Sequence, residues 1–144
     1  MKSVLEIKSI WEDADLFEVR VFASNGRFSG TADCYTQRDE MANLAKLIEG
    51  FPRTLDQKVN FTTGESDTFS YFSINLSCVD GSGHVRARIK VANNVTYSNA
   101  PAECDLAEFD MNLEPVAIDN FSATLKILAA AELKQARAIL EGKV

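Results

Sequence analysis

His84 is the only histidine in a chain of 144 residues, and it directly follows Asp80-Gly81-Ser82-Gly83. Any Ser-His-Asp or Cys-His chemistry would have to use it as the base. No residue near it in sequence reads as a nucleophile that needs one. A phosphate-binding loop would place these glycines ahead of a helix, whose first N–H groups aim at the anion. Residues 85 to 91 instead alternate apolar and polar, so a strand follows and a phosphate loop is rejected. Cys34, Cys78 and Cys104 are widely spaced, with no CxxC pair. With one histidine in the chain, they do not reach the about four ligands of a zinc site. They read as reduced, mostly buried thiols acting as small apolar residues. No GxSxG, HExxH, Walker loop or dinucleotide fingerprint occurs. The sequence therefore predicts no catalytic residue, no metal ligand and no cofactor.

Charge is the other source of chemistry. Fifteen Lys and Arg stand against 21 Asp and Glu, a net charge of −6. Nucleic-acid binding needs a basic footprint, so that class is excluded. A basic protein partner fits the balance, because complementary charge speeds encounter. Solubility alone also accounts for it. Within this acidic chain, Arg86, Arg88 and Lys90 alternate along one stretch, with Ser73, Asn75 and Ser77 in the preceding one. This strip is either a recognition surface for an acidic partner or small anion, or a wet face neutralised by Glu108 and Asp110.

The elements that carry these groups are legible from periodicity. With Asp80 to Gly83 as a four-residue loop, Val79 faces His84, and Cys78, Leu76, Ile74 and Phe72 face Val85, Ala87, Ile89 and Val91. The alternate pairs are Ser77 with Arg86, Asn75 with Arg88 and Ser73 with Lys90, all polar. Strand side chains alternate faces, so this register sorts a whole hairpin into a core face and a wet face. A second hairpin is marked by Asn25-Gly26. A loop of those two residues pairs Ala23 with Phe28, Val21 with Gly30, Val19 with Ala32 and Phe17 with Cys34. Glu18, Arg20, Phe22, Ser29, Thr31 and Asp33 then take the opposite face, with Glu18 opposite Asp33 and Arg20 diagonal to it. Gly30 and Ala32 are small on the inner face, which predicts close approach of something bulky, such as a helix.

Residues 3 to 10 read as a first strand, followed by an acidic turn. Thr36 is an expected N-cap, with Asp39 in a capping-box-like position. Met41, Leu44, Leu47, Ile48 and Phe51 form a helical stripe that Gly50 and Pro52 end. Residues 58 to 63 read as a short strand, 93 to 102 as a loop, and 103 to 113 as a strand with a bulge near Leu106. A long helix is predicted from about Asp119 through Leu140, because the segment is full of strong helix formers. These elements give one domain over residues 1–144. Its fold class is α+β, two-layer, a mostly antiparallel sheet of about six to seven strands with two helices packed on one face. There is no apolar run of about 18 residues, so no membrane span is expected. The first residues lack a continuous apolar core of the signal-peptide kind, which predicts a cytoplasmic protein.

Phe28-Ser29-Gly30, a following tyrosine, a helix ending in Phe51-Pro52, the hairpin DGSGHVRARI and a terminal helix opening with Asp119-Asn120-Phe121 stand together over most of the chain. In these features it resembles small bacterial immunity proteins of polymorphic and contact-dependent toxin systems, of the WapI-associated type. The resemblance implies a non-catalytic protein that binds and inhibits a cognate toxin. An acidic inhibitor suits a basic nuclease site, and the groups that would supply such a surface are Glu12, Asp13 and Asp15, with Glu103 and Asp105 as a second candidate. Two alternatives remain open: a small-ligand-binding or hydrolytic domain with a cleft between sheet and helices, and a structural homodimer built on the C-terminal helix or an edge strand.

Overall fold

The computed structural model describes residues 2–13, 17–64, 70–95, 103–130 and 136–143. Apolar alternation builds strands β1 (Lys2–Glu12), β2 (Phe17–Ser24) and β3 (Ser29–Thr36), and a helical stripe then builds α1 (Arg38–Ile48). Strands β4 (Lys58–Gly64), β5 (Tyr71–Cys78), β6 (Val85–Val95) and β7 (Glu103–Leu113) follow. Helix α2 (Pro115–Ala130) and strand β8 (Arg137–Lys143) come last. The strands form an eight-stranded antiparallel sheet in the order β3-β2-β1-β8-β7-β6-β5-β4. The fold is α+β, with eight strands where about six to seven were expected.

The additional strand is β8, and it corrects the long terminal helix. Helix formers do continue to Leu140, but propensity differs by only tenths of a kcal/mol between such residues, about 0–0.7 at most. Pairing along β1, from Lys2↔Lys143 to Lys8↔Arg137, satisfies the backbone of β8 instead. It also buries Ala138 and Leu140 on one face. Helix α2 begins earlier than expected, at Pro115, where the missing N–H costs nothing. Its Ile118, Phe121, Leu125 and Leu128 are buried. Helix α1 buries Met41, Leu44, Ala45 and Ile48, while Leu47 of the expected stripe is exposed. Its first turn is capped one residue later than predicted: Glu40 Oε2 accepts from the Gln37 N–H at 3.1 Å and from the Thr36 hydroxyl at 3.0 Å. The helices pack on each other, and Ser122 Oγ donates to the Ala45 carbonyl at 2.7 Å across that contact.

The hairpin of β5 and β6 has the register read from its alternation, with Cys78↔Val85, Leu76↔Ala87, Ile74↔Ile89 and Phe72↔Val91. The hairpin of β2 and β3 does not. Its pairs are Ala23↔Gly30, Val21↔Ala32, Val19↔Cys34 and Phe17↔Thr36. The Asn25 N–H donates to the Phe28 carbonyl at 3.1 Å, so Gly26 and Arg27 form the loop. Gly26, with φ +89°, takes the positive-φ position. Moving the loop by one residue shifts each pairing by two, which preserves the faces. Arg20 therefore sits directly opposite Asp33, and Glu18 opposite Tyr35. Strand β7 pairs with β6 without interruption from Glu103 to Leu113, so the expected bulge at Leu106 is absent. Leu106 and Cys104 simply face outward. Asn93, Asn94 and Val95, expected in a loop, extend β6.

A single pair, Asn112↔Lys143, joins β7 to β8, so the sheet falls into two four-strand halves. The halves face each other. A Cβ on Gly30 would lie 2.8 Å from Ala107 Cβ and 3.7 Å from Val91 Cβ. At the far end of β3, the buried Thr36 and Thr63 hydroxyls meet at 2.5 Å. Strand β3 thus crosses the inner face of the second half, from β7 at Gly30 to β4 at Thr36. The close neighbour that Gly30 admits is this opposing sheet and not a helix. Sheets ordinarily face each other about 10 Å apart, and only small side chains on both sides allow a nearer approach. The buried apolar residues of both halves and both helices form one core cluster.

Candidate functional site

The acidic groups singled out above do not form one surface. Glu12 ends β1 opposite Phe17 and is ion-paired with Arg38 at the start of α1. The Arg38 guanidinium also lies 5.0 Å from the Phe17 ring centroid and donates to the Ala129 carbonyl at 3.1 Å. Glu12 therefore ties β1 to α1. Asp13 is exposed just beyond the strand, and Asp15 lies outside the described residues. Glu103 and Asp105 are exposed on β7. Asp105 borders a recess of about 190 Å³ shared with Ser29, Gly30 and Asn93. Glu12 is level with Thr36 at one end of β3 and Asp105 with Ser29 at the other. These positions are seven steps apart along the strand, roughly 23 Å.

The basic strip is a neutralised face, at least at its centre. Arg88 Nε lies 3.3 Å from Glu108 Oε2, and its Nη1 lies 3.3 Å from Asp110 Oδ1. The hydrogen bond to Asp110, then that to Glu108, raises the Arg88 pKa. Arg86 pairs across strands with Ser77 and Asn112, and Lys90 with Ser73 and Glu108.

His84 Nδ1 lies 2.7 Å from Asp80 Oδ2, whose other oxygen accepts from the Ser82 N–H at 2.8 Å. The hydrogen bond with His84 is the main cause holding the Asp80 carboxyl below its ordinary value. His84 Nε2 also lies 4.0 Å from Glu114 Oε1. These groups border an open recess of about 310 Å³, among whose lining residues there is no Ser, Cys or Lys. The contacts order the hairpin turn. Among the described residues, no group of three or more His, Cys, Asp or Glu side chains is arranged to hold a metal ion. The cysteines were expected to be mostly buried, but only one of the three is: Cys34 is buried, Cys78 is half-buried and Cys104 is exposed.

A different surface stands out on the outward face of β1, β2 and β3. Pairing of β1 with β2 steps from Ser9↔Val19 to Trp11↔Glu18, so Ile10 is an extra residue. That bulge reverses the alternation. Without it, Trp11 would follow Leu5, Ile7 and Ser9 into the interior. With it, Trp11 turns outward and is 47% exposed. The cross-strand row is Trp11↔Glu18↔Tyr35, and Tyr35 is 53% exposed. The next outward row holds Lys8, Arg20 and Asp33, where Arg20 grips Asp33 at 2.8 and 3.0 Å. Phe22, 37% exposed, follows in the row of Glu6 and Thr31. Trp, Tyr and Arg on one rigid face are the residue types that dominate binding energy at protein interfaces. Phe22 on a polar face was the one sign of this surface in the sequence. The bulge that exposes Trp11 has no signature there.

Compared with known proteins, the chain matches no family model, no curated protein and no solved structure.

Proposed function

We propose that this chain is a non-catalytic binding protein, and more specifically an immunity protein that binds and inhibits a cognate bacterial toxin. The observation that carries binding is the outward row Trp11-Glu18-Tyr35, with Arg20 and Phe22 beside it. Large aromatics exposed together on a sheet face gain most from being covered, and the sheet holds them without ordering cost. The net charge of −6 supports a basic partner, such as a toxin whose own site is basic. The resemblance in the hairpin and helix motifs supports the immunity role. The already satisfied hydrogen bonds around His84 support a non-catalytic one.

The test is a capture experiment with two baits, the native chain and a Trp11→Ala/Tyr35→Ala variant. Proteins retained from the host are identified by mass spectrometry, and the recovered domain is assayed for toxic activity with and without the chain. The native chain is expected to retain one toxin domain and abolish its activity at equimolar ratio. The variant, whose changed residues lie outside the core, is expected to bind at least about tenfold more weakly. Retention of no toxin would sink the immunity role, and equal retention by both baits would sink the assigned face.

A further inference from the structure

Glu18 lies between Trp11 and Tyr35 in one row, and among the described residues its carboxylate has no ion pair or side-chain hydrogen bond. On the same face, Arg20 is matched by Asp33, Arg137 by Glu6 at 3.4 Å and Lys2 by Glu141 at 3.5 Å. The row therefore presents a carboxylate in no direct ion pair among the described residues, attracted through space by Arg20 whose guanidinium is held by Asp33, and flanked by two half-exposed π systems. We propose that the row Trp11-Glu18-Tyr35 is a subsite that receives an arginine or lysine side chain of the partner. The proposal rests on the β1–β3 face being the partner surface and adds the chemistry of what docks there.

Neighbouring strands lie about 4.8 Å apart, so the Trp11 and Tyr35 backbones stand about 10 Å from each other with Glu18 midway. A cation seated over Glu18 falls between the two aromatic residues. Aromatic faces attract cations out to about 6 Å from the ring centre. A guanidinium suits this row better than an ammonium, because its plane stacks on rings while its edge donates to a carboxylate. Glu18 is half-buried, which lowers the local dielectric and strengthens its pull on such a group.

Trp11 is the only tryptophan in the chain, so its emission reports this row and no other place. The probes are an acetylated, amidated tri-arginine peptide and its tri-citrulline counterpart, which has the same shape without the charge. Tri-arginine is expected to change Trp11 emission in a saturable way, and tri-citrulline to leave it unchanged. Glu18→Gln is expected to weaken the tri-arginine response by about fivefold. Glu103→Gln, far from the row, is expected to leave it intact. Equal responses to the two peptides, an unaltered response in Glu18→Gln, or an equal loss in Glu103→Gln would each overturn the subsite. Urea unfolding of each variant, with the native midpoint expected, separates these results from misfolding. Capture of the toxin by Glu18→Gln, set beside its loss by Trp11→Ala/Tyr35→Ala, would remove the cation subsite and keep the face.

Discussion

At the residue scale, Cys34 sits in the core beside Asp33, and burial, then the nearby Asp33 charge, pushes its thiol from the ordinary 9.0 up to about 12. A protonated, enclosed thiol is a poor nucleophile. In native protein at pH 8, a thiol reagent is expected to label Cys104 quickly, Cys78 slowly and Cys34 only after denaturant is added. Peptide mapping of the labelled sites checks this, and fast labelling of native Cys34 would contradict its burial. The same shift has a sign in stability. Between pH 9.0 and about 12 the folded chain keeps a proton on Cys34 that the unfolded chain has lost, so stability falls as pH rises through that window. Single residues were legible in the sequence where only parity mattered. Arg86, Arg88 and Lys90 stand on the wet face, with Glu108 and Asp110 supplying the counter-charge of Arg88. Glu12 was not legible, because its partner Arg38 lies beyond an intervening hairpin. Trp11 was hidden for another reason, since one extra residue in β1 decides its side and any nearby residue could have been the extra one.

At the scale of elements, Gly30 decides how closely β3 approaches β6 and β7. Gly30→Ala places a methyl 2.8 Å from Ala107 Cβ, closer than two carbons tolerate. Alanine in place of glycine stiffens the unfolded chain, a gain of about 0.4–1 kcal/mol. Overpacking costs about 1–3 kcal/mol, so a net loss is expected. Ala107→Gly removes the opposing methyl, and in the double variant the two changes should cost less than their sum by more than about 0.5 kcal/mol. Urea unfolding of the single and double variants measures that coupling, and simple additivity would mean that the strands do not meet there. The hairpin of β5 and β6 was read with its true register because a four-residue loop aligns every apolar pair at once. The hairpin of β2 and β3 offered two loop positions with the same face parity, and Asn25-Gly26 favours the wrong one. Asn25 is instead occupied as an acceptor, its Oδ1 taking the Arg27 and Phe28 N–H groups at 3.0 and 2.9 Å. The segment Arg137–Lys143 follows a run of strong helix formers in the sequence, and pairing with β1 is what makes it a strand.

At the scale of the whole molecule, β8 is the middle of the sheet, since it separates β1 from β7. Removing residues from Arg137 onward would expose one edge of β1, uncover the α2 face that β8 packs against, and sever the joint at Asn112. The shortened chain is expected to lose its cooperative unfolding transition and its slow amide exchange. Circular dichroism during a urea titration checks this, and a native-like transition would show that the halves hold together without β8. Residues 137–143, expected in part to extend the terminal helix on which a dimer would be built, form an interior strand instead. The α+β class and most strands were readable, since two faces of unlike polarity recur along the chain. The order of strands across the sheet was not, because neighbours distant in sequence leave no local trace.

That order also dictates a history for each new molecule. Glu6 and Arg137 are ion-paired across β1 and β8 yet stand 131 positions apart in the chain. A ribosome releases them in that order, so β1 must wait, unpaired on one side, until β8 has been made. Hairpins such as β5 and β6 are free to close while translation continues. Assembly of the whole sheet therefore waits on the emergence of β8 and not on closure of the hairpins, and a nascent chain stalled short of Arg137 remains a substrate for chaperones and proteases.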